Sequence, residues 1–216
     1  MSDSAEGWAD ALFFALSQSF KGNRIKFDLS KVRPAGAVLK TKGGRASGPD
    51  PLANLLQFVQ GTVLAASGRK LKPIECHDIM CMVGEIVVCG GVRRSALISF
   101  SDPEDEEMRN AKSFNNGNFP TIRYMANNSA YYDTKPSEEV FWKEWNALVE
   151  SKSGERGFSI GNWHMRADRP TKDVRSNPCH EIGLRFLRAE DPITGEGGGG
   201  QFCNLSAVIM LSLIHI

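Results

Sequence analysis

Asn177, Cys179 and Glu181 stand at alternate positions in the stretch NPCHEI, residues 177–182. In an extended or tightly turned backbone, alternate residues point to the same side. An amide, a thiol and a carboxylate can then converge on one small substrate. Pro178 fixes its own φ and pushes Asn177 away from helical angles, which favours such a backbone. A carboxylate beside a thiol disfavours the thiolate, and with it an ordinary cysteine nucleophile. The arrangement suits a cysteine that stays protonated, gives up a hydrogen atom and becomes a thiyl radical. Glu181 would then act as general base on a substrate hydroxyl, with Asn177 orienting that substrate. The plainer alternative is an inert cysteine beside a turn, and composition alone favours it.

CGGVRRSA, residues 89–96, is a second candidate. Gly90 and Gly91 permit unusual backbone angles, and Arg93 and Arg94 bring fixed positive charge for phosphate or base contacts. Such a loop is commonly only a turn. ECHDIMC, residues 75–81, raises a metal site from Glu75, Cys76, His77 and Cys81. The spacing of Cys76 and Cys81 is not that of a zinc knuckle, and no second Cys/His pair follows at finger distance. On a helix, Cys76, Met80 and Val83 would share an apolar face, so core packing is expected and no metal is assigned. Cys89 is expected as a buried strand-end residue. The absence of Cys-x-x-Cys argues against a thiol–disulfide oxidoreductase.

The elements that must position these residues are legible in outline. Asp3-Ser4-Ala5-Glu6 reads as a helix cap, followed by Trp8, Ala11, Leu12, Ala15 and Leu16 at helical spacing. Residues 25–29 form a strand candidate, and 32–51, rich in Gly, Pro and basic residues, form a long loop of the kind that is usually functional. Helices are expected over 52–67 and from Pro73 to about Val83. Strands are expected over 85–88 and 97–100, split by the Gly-Arg loop. The acidic run 102–107 reads as a solvated helix start. MANNSAYY, within 124–132, reads as a strand. Residues 137–151 read as a helix with Phe141, Trp145, Leu148 and Val149 on one face, and GERGFSI ends as a strand. Helices alternating with strands predict an α/β fold, with no internal repeat and no evident domain boundary.

The composition sets the class. The 216 residues are 41% hydrophobic and 24% charged, which is a globular and not a disordered balance. A formal net charge of +1 gives no electrostatic case for a nucleic-acid or membrane partner. No apolar run approaches transmembrane length, and no signal pattern opens the chain. Five scattered cysteines point to a reducing, cytoplasmic setting.

NPCHEI followed by QFCNLS (residues 201–206) resembles the active-site signature of ribonucleotide reductase large subunits. The Asn-Pro-Cys form is most similar to the adenosylcobalamin-dependent class II enzymes, because class I enzymes more often carry Leu at the Pro178 position. DLSKVRPAGAVLKTKGGRASGPDPL, ECHDIMCMVGEIVV, GGVRRSALIS, ANNSAYY and SKSGERG resemble that family's core in the same order. The resemblance runs nearly to Met210. It implies part of a ten-stranded α/β barrel of the ribonucleotide reductase and glycyl-radical type, with Cys179 on a loop reaching the barrel centre.

The implied chemistry converts ribonucleoside tri- or diphosphates to 2′-deoxyribonucleotides. Cys179 would be the transient thiyl radical that takes the ribose 3′-hydrogen. Glu181 would accept the 3′-hydroxyl proton, and Asn177 would hydrogen-bond the ribose hydroxyls. Cys203 would be one of two reducing thiols, its partner lying upstream of the segment resembled. The implied cofactor is adenosylcobalamin, and the implied partners are deoxynucleotide effectors and a thioredoxin-like dithiol reductant. The Gly90–Arg94 loop would link the effector site to the substrate base, and Gly43 and Gly44 would belong to a neighbouring effector-site loop. Two features depart from the family. His180 sits where a small residue is more usual, and the connection over 187–200 is long. A class I large subunit, or a catalytically silent nucleotide-binding regulatory module, are the competing readings. LSLIHI, residues 211–216, reads as the in-frame translation of a transposon-end sequencing adaptor. The expectation is therefore a partial barrel over 1–210, a non-native tail over 211–216, and a natural chain that continues past Met210.

Overall fold

The structure is a computed structural model that describes residues 2–39, 44–89, 92–93, 95–161, 174–180 and 182–185. The chain divides into two compact units, Met1–Tyr132 with Pro136–Ser159, and Asp133–Lys135 with Ile160–Ile216. No change of composition marks the division.

In the first unit, helix α1 (Ala5–Phe20) begins where its cap predicts. The Ser4 hydroxyl accepts the Gly7 N–H at 3.0 Å. Helix α2 (Asp50–Ala65) and helix α3 (Pro73–Ile86) each place a proline in the first turn, where a missing N–H leaves no bond unmade. Glu75 in α3 also reaches back to the Lys72 N–H at 2.8 Å. Leu52, Leu55, Leu56, Val59 and Val63 recur at helical spacing on α2, and all are buried. They pack with Ala15 of α1 and with Ile79 and Ile86 of α3. Burying each large apolar side chain contributes about 1.5–3 kcal/mol, so the α2 stripe is the main cohesion of this layer.

Residues 25–29 do not form the expected strand. The Ile25 N–H donates to Gln60 Oε1 at 2.6 Å, and the Ile25 carbonyl accepts from Gln60 Nε2 at 3.4 Å. A side-chain amide on α2 satisfies backbone groups that a ladder would otherwise take. Ile25, Phe27 and Leu29 meanwhile pack against the helical core. The strand expected over 85–88 is also displaced. Helix α3 continues through Glu85 to Ile86 because Ile86 is a buried position of its apolar stripe.

Strand β1 (Val88–Cys89) then pairs antiparallel with β2 (Val92–Arg93), in the register Val88↔Arg93 and Cys89↔Val92. Strand β3 (Leu97–Ser101) lies parallel to β4 (Ala126–Tyr132), from Leu97↔Ala126 to Ser101↔Ala130. The crossover between them carries helix α4 (Glu106–Arg109), whose N-cap Asp105 accepts the Met108 N–H at 2.9 Å. Helix α5 (Glu138–Glu150) leads to β5 (Gly157–Ile160), and the sheet order is β3-β4-β5. The fold is α/β, as helices alternating with strands predict. Among the described residues no helix is long and apolar enough to cross a membrane.

Helix α5 forms where its sequence reading places it, but its apolar face is not its buried one. Its buried residue is Glu144, while Trp145 is 42% and Val149 58% exposed. Glu144 accepts from Arg156 Nε at 2.7 Å and from Arg109 Nε at 3.1 Å. Arg156 also donates to Ser101 Oγ at 2.8 Å, to the Asp102 carbonyl at 2.9 Å and to the Pro103 carbonyl at 2.7 Å. The helix is turned by this ionic cluster and not by its aromatic stripe. Of that stripe, Phe141 still stacks on Phe158 of β5, ring centroids 5.1 Å apart.

In the second unit, β6 (Val174–Ser176) pairs antiparallel with β7 (Gly183–Arg185), in the register Val174↔Arg185, Arg175↔Leu184 and Ser176↔Gly183.

Candidate active site

The stretch NPCHEI closes the β6–β7 hairpin. The His180 N–H donates to the Asn177 carbonyl at 2.9 Å, which makes residues 177–180 a reverse turn with Pro178 and Cys179 at its centre. Proline's fixed φ suits the first central position. Cys179 is an exposed free thiol on that turn. His180 follows at φ 68°, in the left-handed region. Few residues other than glycine adopt it, although histidine is among the more tolerant. This gives a backbone reason for a small residue at that position. The Asn177 N–H donates to the Ile182 carbonyl at 3.3 Å, and the Ile182 N–H donates to Asn177 Oδ1 at 2.9 Å. Asn177 and Cys179 are thus joined in one hydrogen-bonded turn. Glu181 and Cys203 lie outside the described residues, as do the connection 187–200 and the tail 211–216.

The Gly-Arg loop is entered and left by β1 and β2, with Arg93 at the end of β2. Gly90, Gly91 and Arg94 lie outside the described residues. The hairpin's exit is tied to α3 by Ser95, whose hydroxyl donates to the Gly84 carbonyl at 2.7 Å. In the loop expected over 32–51, Val38 and Arg45 form an isolated antiparallel bridge around residues 40–43, which include Gly43 and are not described. Gly44 has φ 84°. Gly48 has φ 83°, and a Cβ there would come within 3.0 Å of the Ala35 nitrogen, so only glycine fits. This loop borders a cavity of about 680 Å³ lined in part by Trp8, Arg33, Leu39, Ser47 and Val83. Arg33 is anchored there by Asp3, Nε to Oδ2 2.5 Å.

The α3 cysteines correct the sequence reading in detail. Cys76 is exposed and Met80 is 52% exposed, so of the face expected to pack in the core only Val83 does so. The inward positions are His77, Ile79, Cys81 and Ile86. Cys81 Sγ lies 3.4 Å from His77 Nε2, and His77 Nδ1 is buried without a partner among the described residues. Burial holds the His77 pKa below its ordinary value. Burial, then the charge of Asp78, pushes the Cys81 thiol up to about 11. Cys81 therefore stays protonated and unreactive. Among the described residues no cluster of three or more His, Cys, Asp or Glu could hold a metal ion.

Sequence reasoning gave no role to Glu155 and Arg156 of SKSGERG. Glu155 accepts from Lys112 Nζ at 2.7 Å and from the Asn128 N–H of ANNSAYY at 2.9 Å, while Arg156 is the Glu144 partner. Two charged residues between glycines on the approach to a strand were the available signal.

No protein-family model matches the chain, and no solved structure matches it. Curated proteins do. The chain is 34% identical over 196 residues to the adenosylcobalamin-dependent ribonucleoside-triphosphate reductase of Euglena gracilis, a match covering 86% of this chain and 26% of that protein. It is 33% identical over 224 residues to the protein of the same name from Levilactobacillus brevis, covering 95% and 27%. It is 31% identical over 223 residues to that of Lacticaseibacillus paracasei, again covering 95% and 27%. The chain therefore spans about a quarter of the length of the curated relatives it matches. Over the span matched, the chain is similar to a part of the adenosylcobalamin-dependent ribonucleoside-triphosphate reductases.

Proposed function

We propose that these residues are the part of a ribonucleotide reductase catalytic chain that carries the thiyl-radical turn. The whole enzyme would convert ribonucleoside triphosphates, or diphosphates, to 2′-deoxyribonucleotides. The observation that carries the reading is an exposed Cys179 on the same hydrogen-bonded turn as Asn177, in a chain whose relatives are named for this reaction. The parallel β3–β4 pair supports a place in a ten-stranded barrel over residues 1–210, with 211–216 as a non-native tail.

The cofactor is adenosylcobalamin, which when bound supplies the radical that takes the thiol hydrogen. An exposed S–H on a turn fits this requirement, since a bulky group must approach it from outside its own loop. None of the described residues is assigned to holding the cofactor. Cys179 then takes the ribose 3′-hydrogen, and Glu181 accepts the 3′-hydroxyl proton. Asn177 orients the ribose. Cys203 and a second thiol deliver the reducing equivalents and end as a disulfide, which a thioredoxin-like dithiol reopens. Deoxynucleotide effectors would use the cavity beside the Gly43–Gly44 loop, signalling through Gly90, Gly91, Arg93 and Arg94. The free thiols of Cys76, Cys81 and Cys179 fit a reducing cytoplasm.

The test is Cys179→Ser in the catalytic chain carrying this segment. An O–H bond yields a radical far less readily than an S–H bond, and the change in volume is small. Deoxynucleotide formation should vanish while nucleotide binding stays within about twofold of wild type, a shift under 0.5 kcal/mol. Turnover near wild type would remove Cys179 from the radical role.

A further inference from the structure

We infer that Asn177 is the positioning residue of the cysteine turn, acting through the backbone as well as on any substrate. The inference rests on the reading of Cys179 as the reacting thiol. In an antiparallel ladder, the pair beyond Ser176↔Gly183 is Asn177 with Ile182. A hydrogen-bonded pair exchanges both N–H···O bonds between the two main chains. One of them is present, from the Asn177 N–H to the Ile182 carbonyl at 3.3 Å. In the other, the Ile182 N–H goes not to the Asn177 carbonyl but to its side-chain Oδ1, at 2.9 Å.

The carboxamide thus stands in for the main-chain carbonyl. The carbonyl it releases accepts the His180 N–H at 2.9 Å and the Ser176 hydroxyl at 2.8 Å. The first of these bonds closes the turn and sets Pro178 and Cys179 at its centre. Without the carboxamide, the Ile182 N–H would compete for the Asn177 carbonyl. The ladder would then extend by a pair, and the reverse turn that presents Cys179 would lose its closing bond. Only a short side chain with an acceptor oxygen can make this substitution, in which the side chain mimics a backbone acceptor as it does in an Asx turn, here across the hairpin to a residue five positions on. Asparagine and aspartate meet the requirement, and alanine does not.

The experiment compares Asn177→Asp, which keeps the acceptor, with Asn177→Ala, which removes it. Amide hydrogen exchange at Ile182 and His180, and the alkylation rate of Cys179 read by peptide mass spectrometry, are followed in the full chain. Loss of one net hydrogen bond corresponds to about fivefold faster exchange. Asn177→Ala should show it at both amides, with a changed Cys179 alkylation rate. Asn177→Asp should stay within about twofold of wild type, which is the rescue that a bare loss of stability would not give. Equal protection and equal alkylation in wild type and Asn177→Ala would overturn the inference. In the catalytic chain, Asn177→Ala should lose more kcat than Asn177→Asp, with KM affected alike by the lost amide donor. Equal kcat losses would leave the carboxamide acting on substrate alone and overturn the positioning role. The exchange and alkylation results do not depend on nucleotide reduction, so they stand or fall separately from the proposed reaction.

Discussion

The ionic cluster around α5 and the cysteine turn hold their polar groups in opposite ways. Glu144 gathers Arg109 and Arg156, and Arg156 reaches on to residues 101–103, so partners far apart in sequence must all be in place together. In the turn, Asn177 bonds to near neighbours in sequence, Ser176, His180 and Ile182. The first arrangement is cooperative and buried, with Glu144 and Arg156 each 1% exposed. The second is local, so it can be edited one residue at a time. A scaffold fixed by long-range burial and a reacting turn fixed by short-range chemistry are separable, and their variants should fail differently.

The largest effect is expected at the cluster. Glu144→Ala leaves the buried Arg156 guanidinium without its carboxylate, while Arg109 keeps Glu106, and should cost about 3–5 kcal/mol in urea denaturation. Replacing Arg109, Glu144 and Arg156 together by Met, Leu and Met should recover most of that loss, because desolvating the charges offsets much of their attraction. A loss below about 1 kcal/mol for Glu144→Ala would place the cluster among weak surface pairs and dissolve the contrast with the turn.

A smaller effect is expected from His77, and it separates two acid windows. Burial lowers its folded pKa below the ordinary 6.5. As pH falls through that value, the unfolded chain takes up a proton before the folded one does. Unfolding then binds protons, so stability rises with pH in this range. The stability is fully present above about 6.5 and is lost as pH falls towards the folded value. Glu75 acts lower down. Hydrogen bonds from the Arg69 guanidinium and the Lys72 backbone depress its pKa from 4.5 to about 2. Its contribution is present above 4.5 and lost as pH falls towards about 2. Melting temperatures of His77→Gln between pH 8 and 2 should lose the upper slope and keep the lower. An unchanged upper slope would assign it to another group.

The contrast also explains what the sequence disclosed. The α1 cap, the α2 helix and the turn around Pro178 depend mainly on neighbours within a few residues, and all were legible; β4 was legible too, although its partner β3 lies some thirty residues upstream. The strand expected over 25–29 failed because Gln60, remote in sequence, supplies the backbone partners. The α5 stripe was legible as a face, but the burial of Glu144 was not, because it is decided by Arg109 and Arg156. On α3, Cys76 and Met80 were misplaced because helical spacing leaves open which of two adjacent faces is inward. The candidate site was legible as residue types on a turn. That Asn177 makes the turn's side-chain bond was not, because spacing does not distinguish a substrate contact from a backbone contact.

His180 offers the smallest and sharpest test of the local half of the comparison. It sits at φ 68°, between the cysteine and the expected base. The left-handed conformation costs an ordinary L-residue roughly 1–2 kcal/mol, less for histidine, and nothing for glycine, although glycine also enlarges the unfolded ensemble. His180→Gly should therefore leave the turn unchanged or tighten it by up to about 0.5 kcal/mol. His180→Val, branched at Cβ, should loosen it by about 1–2 kcal/mol. Exchange of the His180 and Ile182 amides reads both, since these groups close the turn on Asn177. Global stability by denaturant should barely move in either variant, because the loss is confined to the hairpin. If valine and glycine gave the same exchange rates, the backbone at residue 180 would not be under a left-handed constraint, and the turn would owe its shape to more distant contacts, as the α5 cluster does.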